Sequence, residues 1–458
     1  MKRFRWLGLV LCLLMVWTGC GDTFRPVIIP NPPAFPDPRA AHTVLAINDN
    51  NTSLLAGSAD PGSIMVIDVS GDTDVSTRDV GLYPVHIAQQ TASQFLVVNH
   101  SLTGLIGDSL TKVSFLGTTI AGTTTISLPP DSAPNFVAVA PADTTAYVSL
   151  LNSATVAAVS TASNSVVATI PVPANPIAMA VTPDRNKLYV ISSTSNSLTG
   201  INTLDRSPRP LANGGGAFQS PLWITVRSDN QRVYVLNGNG SLVTIDTTAG
   251  AGTSDAVTAT LPGVGTGRLM VYDSLKNRIY IPSASQLAVV DVSQDPPRLM
   301  SVVPITTVDP SSRGSSDPCQ LTATAPLNVV AAAALPDGSR LYAAGFYTDA
   351  AGNVCPQVTS INASDFSVKT NAAVPGVSSL PPFSAPICST TPFRMTMAAG
   401  GDSSRVYLAS CDAGNVNIIR TSDDSYLLSV PAPASSRAPI PPSTQPPPQS
   451  PVFLIAGP

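Results

Sequence analysis

Residues 176–204, PIAMAVTPDRNKLYVISSTSNSLTGINTL, decide how this chain folds, because their pattern returns along nearly its whole length. An apolar run, Ile177–Val181, meets a turn at Pro183–Asp184. A second run, Leu188–Ile191, is followed by a Ser/Asn-rich turn and an alternating stretch ending at Asn202. Short runs of period-two character, punctuated by turn residues, read as antiparallel strands. Their recurrence at roughly 40–50 residues is the mark of a propeller or a related closed array.

Working outward, the pattern divides the chain into units at 41–81, 82–130, 134–174, 176–212, 220–262, 266–304, 326–375 and 391–431. Each can be cut into four strands, A to D from the centre outward. The register comes from strand B, which holds Tyr147, Tyr189, Tyr234, Tyr280, Tyr342 and Tyr407, with Leu54 and Phe95 in the equivalent place of the first two units. Asp143, Asp184, Asp229, Asp337 and Asp402 precede these tyrosines in the A–B turn, where Asp satisfies its own backbone. Asp68, Asp246 and Asp291 close strand C of their units. Lys187, Arg232, Arg278, Arg340 and Arg405 stand two before a Tyr, on the same sheet face. They form a basic arc at one end of the array, for which pairing with nearby Asp is the expectation and an anion-binding ring the alternative.

Composition agrees with a β array. Hydrophobic residues make up 43% of the 458 and charged residues 11%, and every acidic residue is Asp. With Glu absent and Lys scarce, the strong helix formers of polar faces are nearly missing. The expected fold is therefore all-β, a β-propeller of four-stranded blades, with eight blades counted and seven as the alternative. LYVIS (188–192) and SVVATIPV (165–172) resemble the YVTN family of β-propeller repeats, over roughly residues 41–431. That resemblance implies the fold and little about activity; its members are usually described as seven-bladed.

The N-terminus, MKRFRWLGLVLCLLMVWTGC, joins a basic start (Lys2, Arg3, Arg5) to an apolar stretch too short for a comfortable membrane span. It resembles a bacterial lipoprotein signal with Thr18-Gly19-Cys20 as the lipobox, although Trp17 stands where that family prefers Leu. The resemblance implies removal of residues 1–19 and a diacylglyceryl group on Cys20, with a plain secretory signal as the alternative. Loss of the leader takes the net charge from −4 to −7. So acidic and sparsely charged a chain offers little to nucleic acid. Residues 20–40 read as a Pro-rich tether, and 432–458 as a Pro-rich tail ending in an apolar run, VFLIAG (452–457), that must dock somewhere, such as an extra strand on the ring.

Four cysteines remain, and an exported chain with an even count points to disulfides. Cys319 precedes strand A of the seventh unit and Cys355 lies in its B–C connection; Cys388 and Cys411 bracket strands A and B of the eighth. D–A and B–C connections share a face, so Cys319–Cys355 and Cys388–Cys411 are the expected pairs. A four-Cys zinc site lacks the short spacing it needs.

No catalytic constellation emerges. His42, His86 and His100 fall in the first two units, the first two at starts of strands A and the third at the end of a strand B. Isolated core or rim imidazoles are the expectation, with a metal or acid/base pair on neighbouring blades as the alternative, and no cofactor motif accompanies them. The long connections 100–110, 305–325, 346–354 and 375–391 lie on the D–A/B–C face, which makes that face the expected binding surface. Phe218, Phe346, Tyr347 and Phe383 are the candidate contact residues there. The expected function is a monomeric, lipid-anchored scaffold at the cell envelope, at the outer membrane or cell surface, binding an envelope protein or glycan. A periplasmic enzyme of lactonase-like or quinoprotein-like type and a structural surface protein are the alternatives.

Overall fold

In this computed structural model the structure describes residues 42–50, 60–100, 107–211, 216–248, 255–324, 326–378, 388, 391, 393–436 and 444–457. The leader, Cys20, the tether, Leu54 and Phe383 lie outside them. Eight four-stranded antiparallel sheets make up the chain, an eight-bladed β-propeller.

Blade 4 shows why this sequence folds so. Strand A is Pro176–Val181, B Lys187–Ser192, C Ser197–Asn202 and D Pro208–Pro210. Leu188 to Ser192 are all buried, since strand B is covered on both faces by the neighbouring blades. A strand covered on both sides reads as a continuous apolar run rather than an alternation. Outer strands keep the alternation: in Ser165–Pro171 of blade 3 exposed residues take turns with half-buried ones and, at Ile170, a buried one. At the A–B turn Arg185 donates its backbone N–H to the Thr182 carbonyl and takes φ 66°, and Asp184 Oδ1 accepts from the Asn186 N–H. The same carboxylate-to-backbone bond recurs at Asp143, Asp229, Asp337 and Asp402. Asp68, Asp246 and Asp291 make it after strand C. A register shift between strands C and D, present in every blade but the fourth, adds the local twist that a β-bulge brings.

The ring closes by exchange of ends. Ser450–Ala456 is the innermost strand of blade 1, antiparallel to Thr43–Asp49, while Ser63–Asp68 and Thr73–Asp79 supply strands C and D. The first unit therefore contributes three strands, not the four read from its sequence. Its strand B is Thr43–Asp49, with Leu45 in the place assigned to Leu54, and His42 precedes strand B rather than strand A. The apolar terminus docks as the missing inner strand. Described parts of the Pro-rich segment before it are tied down: Ser435 N–H donates to the Pro447 carbonyl, and Ser436 N–H to Asn50 Oδ1.

Blade 6 is the irregular one. Its inner strand is only Val271–Asp273, where the other blades use five to eight residues. The stretch ahead of it, Gly263-Val264-Gly265-Thr266-Gly267-Arg268, runs against the end of strand B instead. A Cβ on Gly267 would sit 2.1 Å from the Pro282 carbonyl oxygen, and Gly265 takes φ 95°, so the path needs glycine at both.

Candidate functional site

The two ends of the propeller use their charges differently. On the A–B end, the basic residue of strand B reaches the C–D turn of the next blade. Lys187 donates to Asp255 Oδ1 at 2.6 Å and to the Thr247 carbonyl at 2.7 Å, and Tyr189 OH donates to Asp255 Oδ2 at 2.7 Å. Arg340, Tyr342 and Lys369 of blade 7 converge on Asp424 of blade 8. Arg405 and Tyr407 of blade 8 meet Asp72 of blade 1 at 3.0 and 3.1 Å, which clasps the closing joint. Arg232 pairs with Asp295 of blade 6 at 2.8 Å, and Arg278 donates to the Ala363 carbonyl of blade 7 at 2.7 Å. The basic arc is thus spent between blades, which explains the Arg/Lys-x-Tyr spacing. Burial, then the Asp255 charge, pushes the Tyr189 phenol well above its ordinary pKa. Burial works against the charge of Asp424, but hydrogen bonds from Lys369 and Tyr342 and the Arg340 charge outweigh it and hold its pKa low.

On the D–A/B–C end the axis is filled by aromatic rings. His86 stacks on Phe136 with centroids 3.8 Å apart, and Phe136 meets Trp223 edge-on at 5.6 Å. Trp223 meets Phe393 at 5.7 Å, Phe393 meets Phe453 at 5.0 Å, and Phe453 returns to His86 at 4.9 Å. These residues come from blades 1, 2, 3 and 5 and from the lead-in to blade 8, so their contacts cross the axis. His86 Nδ1 faces the Val137 N–H at 3.4 Å, and burial lowers its pKa to about 3, so the imidazole is neutral at physiological pH. It serves as one more packed ring.

Above this floor lie two adjoining cavities. The larger, about 420 Å³, opens between blades 6, 7 and 8, where the short inner strand of blade 6 leaves room. Thr266, Ser283, Asn328 and Thr391 give it a polar wall, and Phe346 and Arg394 line it beside the Cys388–Cys411 disulfide. The smaller, about 190 Å³, is apolar, with Phe136, Ile177, Leu222, Trp223 and Phe393 on its wall. Arg268 and Phe393 belong to both. Arg394 lies over the Phe346 ring at 4.4 Å and is paired bidentately with Asp412, so its charge is spent. Arg268 is exposed and makes no hydrogen bond or ion pair among the described residues. Among the described residues no carboxylate lines either cavity.

Of the described candidate contact residues, only Phe346 lines the mouth. It and Tyr347 belong to strand B of blade 7, Arg340–Thr348, rather than to a loop. Phe218 and Tyr347 are 4% and 1% exposed and present no ring to a ligand. Tyr347 packs on Arg313, a buried guanidinium that holds the 305–325 connection by donating to Tyr347 OH, Asp317 and the Val374 and Pro356 carbonyls. That connection is also stapled by Cys319–Cys355. Cys319, Cys355 and Asp349 are the described grouping with metal-ligand proximity, but the two sulfurs are bonded to each other and Asp349 accepts from Ala351, Asn353 N–H and Asn353 Nδ2. It is a structural knot.

No protein-family model and no curated protein matches the chain. Solved structures do match in fold. Dihydro-heme d1 dehydrogenase NirN in complex with DHE is similar at TM-score 0.56 and 11% identity, over 88% of this chain and 77% of that one. AztD of Citrobacter koseri is similar at TM-score 0.55 and 9% identity, over 90% of this chain and 97% of that one. A functionally unknown protein of Desulfotomaculum acetoxidans matches at TM-score 0.50 and 10% identity, over 90% and 99%. Identities this low extend to the propeller fold alone.

Proposed function

We propose that this chain is a binding scaffold of the YVTN-repeat type, held at the outside of a bacterial envelope by a lipid on Cys20, that takes the end of an envelope glycan in the mouth between blades 6 and 8. The observation that carries the reading is the concave, polar-walled cavity of about 420 Å³ set beside an aromatic floor. A pocket of this size with a few polar groups and aromatic faces suits a small or terminal group better than a flat protein surface. Two buried disulfides stiffen the blades around it, which lowers the ordering cost of binding and fits an oxidising compartment. The basic, apolar, Thr-Gly-Cys order of residues 2–20 supports export and anchoring.

Two measurements test this. Intact mass of the membrane fraction should show a mature chain beginning at a lipidated Cys20, and Cys20→Ser should release it. Retention of solubilised envelope glycan fragments by the immobilised mature protein should be lost on Asn328→Trp, which fills the cavity from an exposed position. Retention that survives that variant at unchanged Tm refutes the mouth as the site.

A further inference from the structure

The binding reading leaves the class of glycan open, and the charges of the mouth narrow it. This protein is acidic overall, with net charge −4. Yet the described residues around both cavities include two arginines and no acid. Arg394 is neutralised by Asp412 at 2.6 and 2.9 Å. Arg268 meets no acid among the described residues, and it stands where the polar and apolar cavities join. Its placement is built. Gly265 and Gly267 let the backbone press against strand B of blade 6, so residue 268 emerges above the aromatic floor rather than in a sheet. Elsewhere in the ring Lys187, Arg232, Arg340 and Arg405, each at the start of a strand B, are held by the next blade's turn. Arg268 has no such partner among the described residues, and its planar fork of donors is free to meet a carboxylate.

We propose that the mouth selects an acidic saccharide: a sugar whose carboxylate pairs with Arg268, whose hydroxyls face Thr266, Ser283, Asn328 and Thr391, and whose apolar substituent enters the smaller cavity against Trp223 and Phe393. This rests on the binding reading above and deepens it. Arg268 supplies the anion preference, the hydroxyl and amide wall supplies the sugar preference, and the aromatic floor accepts an aglycone. Carboxylate on guanidinium is a charge-assisted, bidentate pair, the kind of contact that separates an acid from its neutral analogue.

The test compares para-nitrophenyl β-glucuronide with para-nitrophenyl β-glucoside, which differ in the carboxylate and are otherwise matched, by calorimetric titration of the mature protein. The glucuronide should bind at least about tenfold more tightly, a difference that narrows as salt rises. Arg268→Gln should erase the preference with Tm unchanged, because the side chain is exposed and makes no contact that holds the fold. Arg268→Lys should retain part of it. Equal binding of the two probes, both lost in Asn328→Trp, overturns the acidic preference and leaves the mouth standing as a binding site. Preference that persists in Arg268→Gln overturns the role of Arg268, and failure of both probes to bind overturns the saccharide assignment.

Discussion

Removing the last strand should open the ring. Ser450–Ala456 pairs along Thr43–Asp49 and supplies the inner edge of blade 1. Val452 and Leu454 are each 3% exposed, while Phe453 and Ile455 are half-buried against neighbouring blades. At about 1.5–3 kcal/mol for each fully buried side chain and about half that for the other two, the strand contributes about 4.5–9 kcal/mol of apolar burial. That is comparable to the whole net stability of a typical domain, about 5–15 kcal/mol. Deleting residues 450–458 should therefore give a protein without a cooperative melt, and Phe453 would also be lost from the aromatic floor. A milder variant, Leu454→Ala, should cost about 2–5 kcal/mol, or about 2–6 °C in Tm for a domain of this size. Thermal melts and urea titrations of both variants are the assay, with the peptide SPVFLIAGP added back in trans to the truncated chain. Recovery of a cooperative transition by the peptide is expected. A truncated chain that melts within a degree or two of the full one would refute the closure.

Two further outcomes follow from the charges. Asp424→Ala, which strands Arg340 and Tyr342 at the joint of blades 7 and 8, should cost about 2–3 kcal/mol in urea titration; this sits below the range for fully buried pairs because Arg340 and Lys369 are 21% and 38% exposed. His86 has a folded pKa of about 3 against an ordinary 6.5, so the unfolded chain takes up a proton that the folded one refuses. That stability is complete above pH 6.5 and is lost as pH falls towards 3, by about 2 kcal/mol at pH 5. His86→Phe should flatten the loss between pH 7 and 5, and an unchanged slope in that variant would show that another group titrates there.

The blades were legible because their signals are local. A Tyr in strand B, an Asp four or five residues ahead of it and a turn between them are set by neighbours in sequence, so the register could be read without knowing what packs on what. Ring closure is set by chain ends four hundred residues apart, and a local repeat has no way to report that strand A of the first blade arrives last. The basic arc shows the same boundary. Its spacing was visible, but its partners sit in the next blade's C–D turn, about 60–85 residues on, or 333 residues back at the closing joint. The expectation of nearby Asp partners holds for Arg232, which also pairs with Asp246 of its own blade at 3.0 Å; Lys187, Arg340 and Arg405 find their Asp in the next blade, and Arg278 finds a carbonyl there.

The site lay further from view for a related reason. The axis draws one ring each from His86, Phe136, Trp223, Phe393 and Phe453, spaced by no period, and only closure brings them together. Sequence reading weighted aromatics in long connections instead, and of those described only Phe346 reaches the mouth. One signal was present and unread. Where blade 6 should begin with an apolar inner strand, the chain offers Gly-Val-Gly-Thr-Gly-Arg (263–268). In a propeller whose other blades begin with strand formers, such a run shortens the inner strand and opens space. The arginine at its end falls outside the Arg/Lys-x-Tyr register, so the clasp that engages the other basic residues between blades does not engage it. Arg394, also off that register, finds Asp412 on its own blade, whereas Arg268 finds no partner among the described residues and stands where the polar and apolar cavities join.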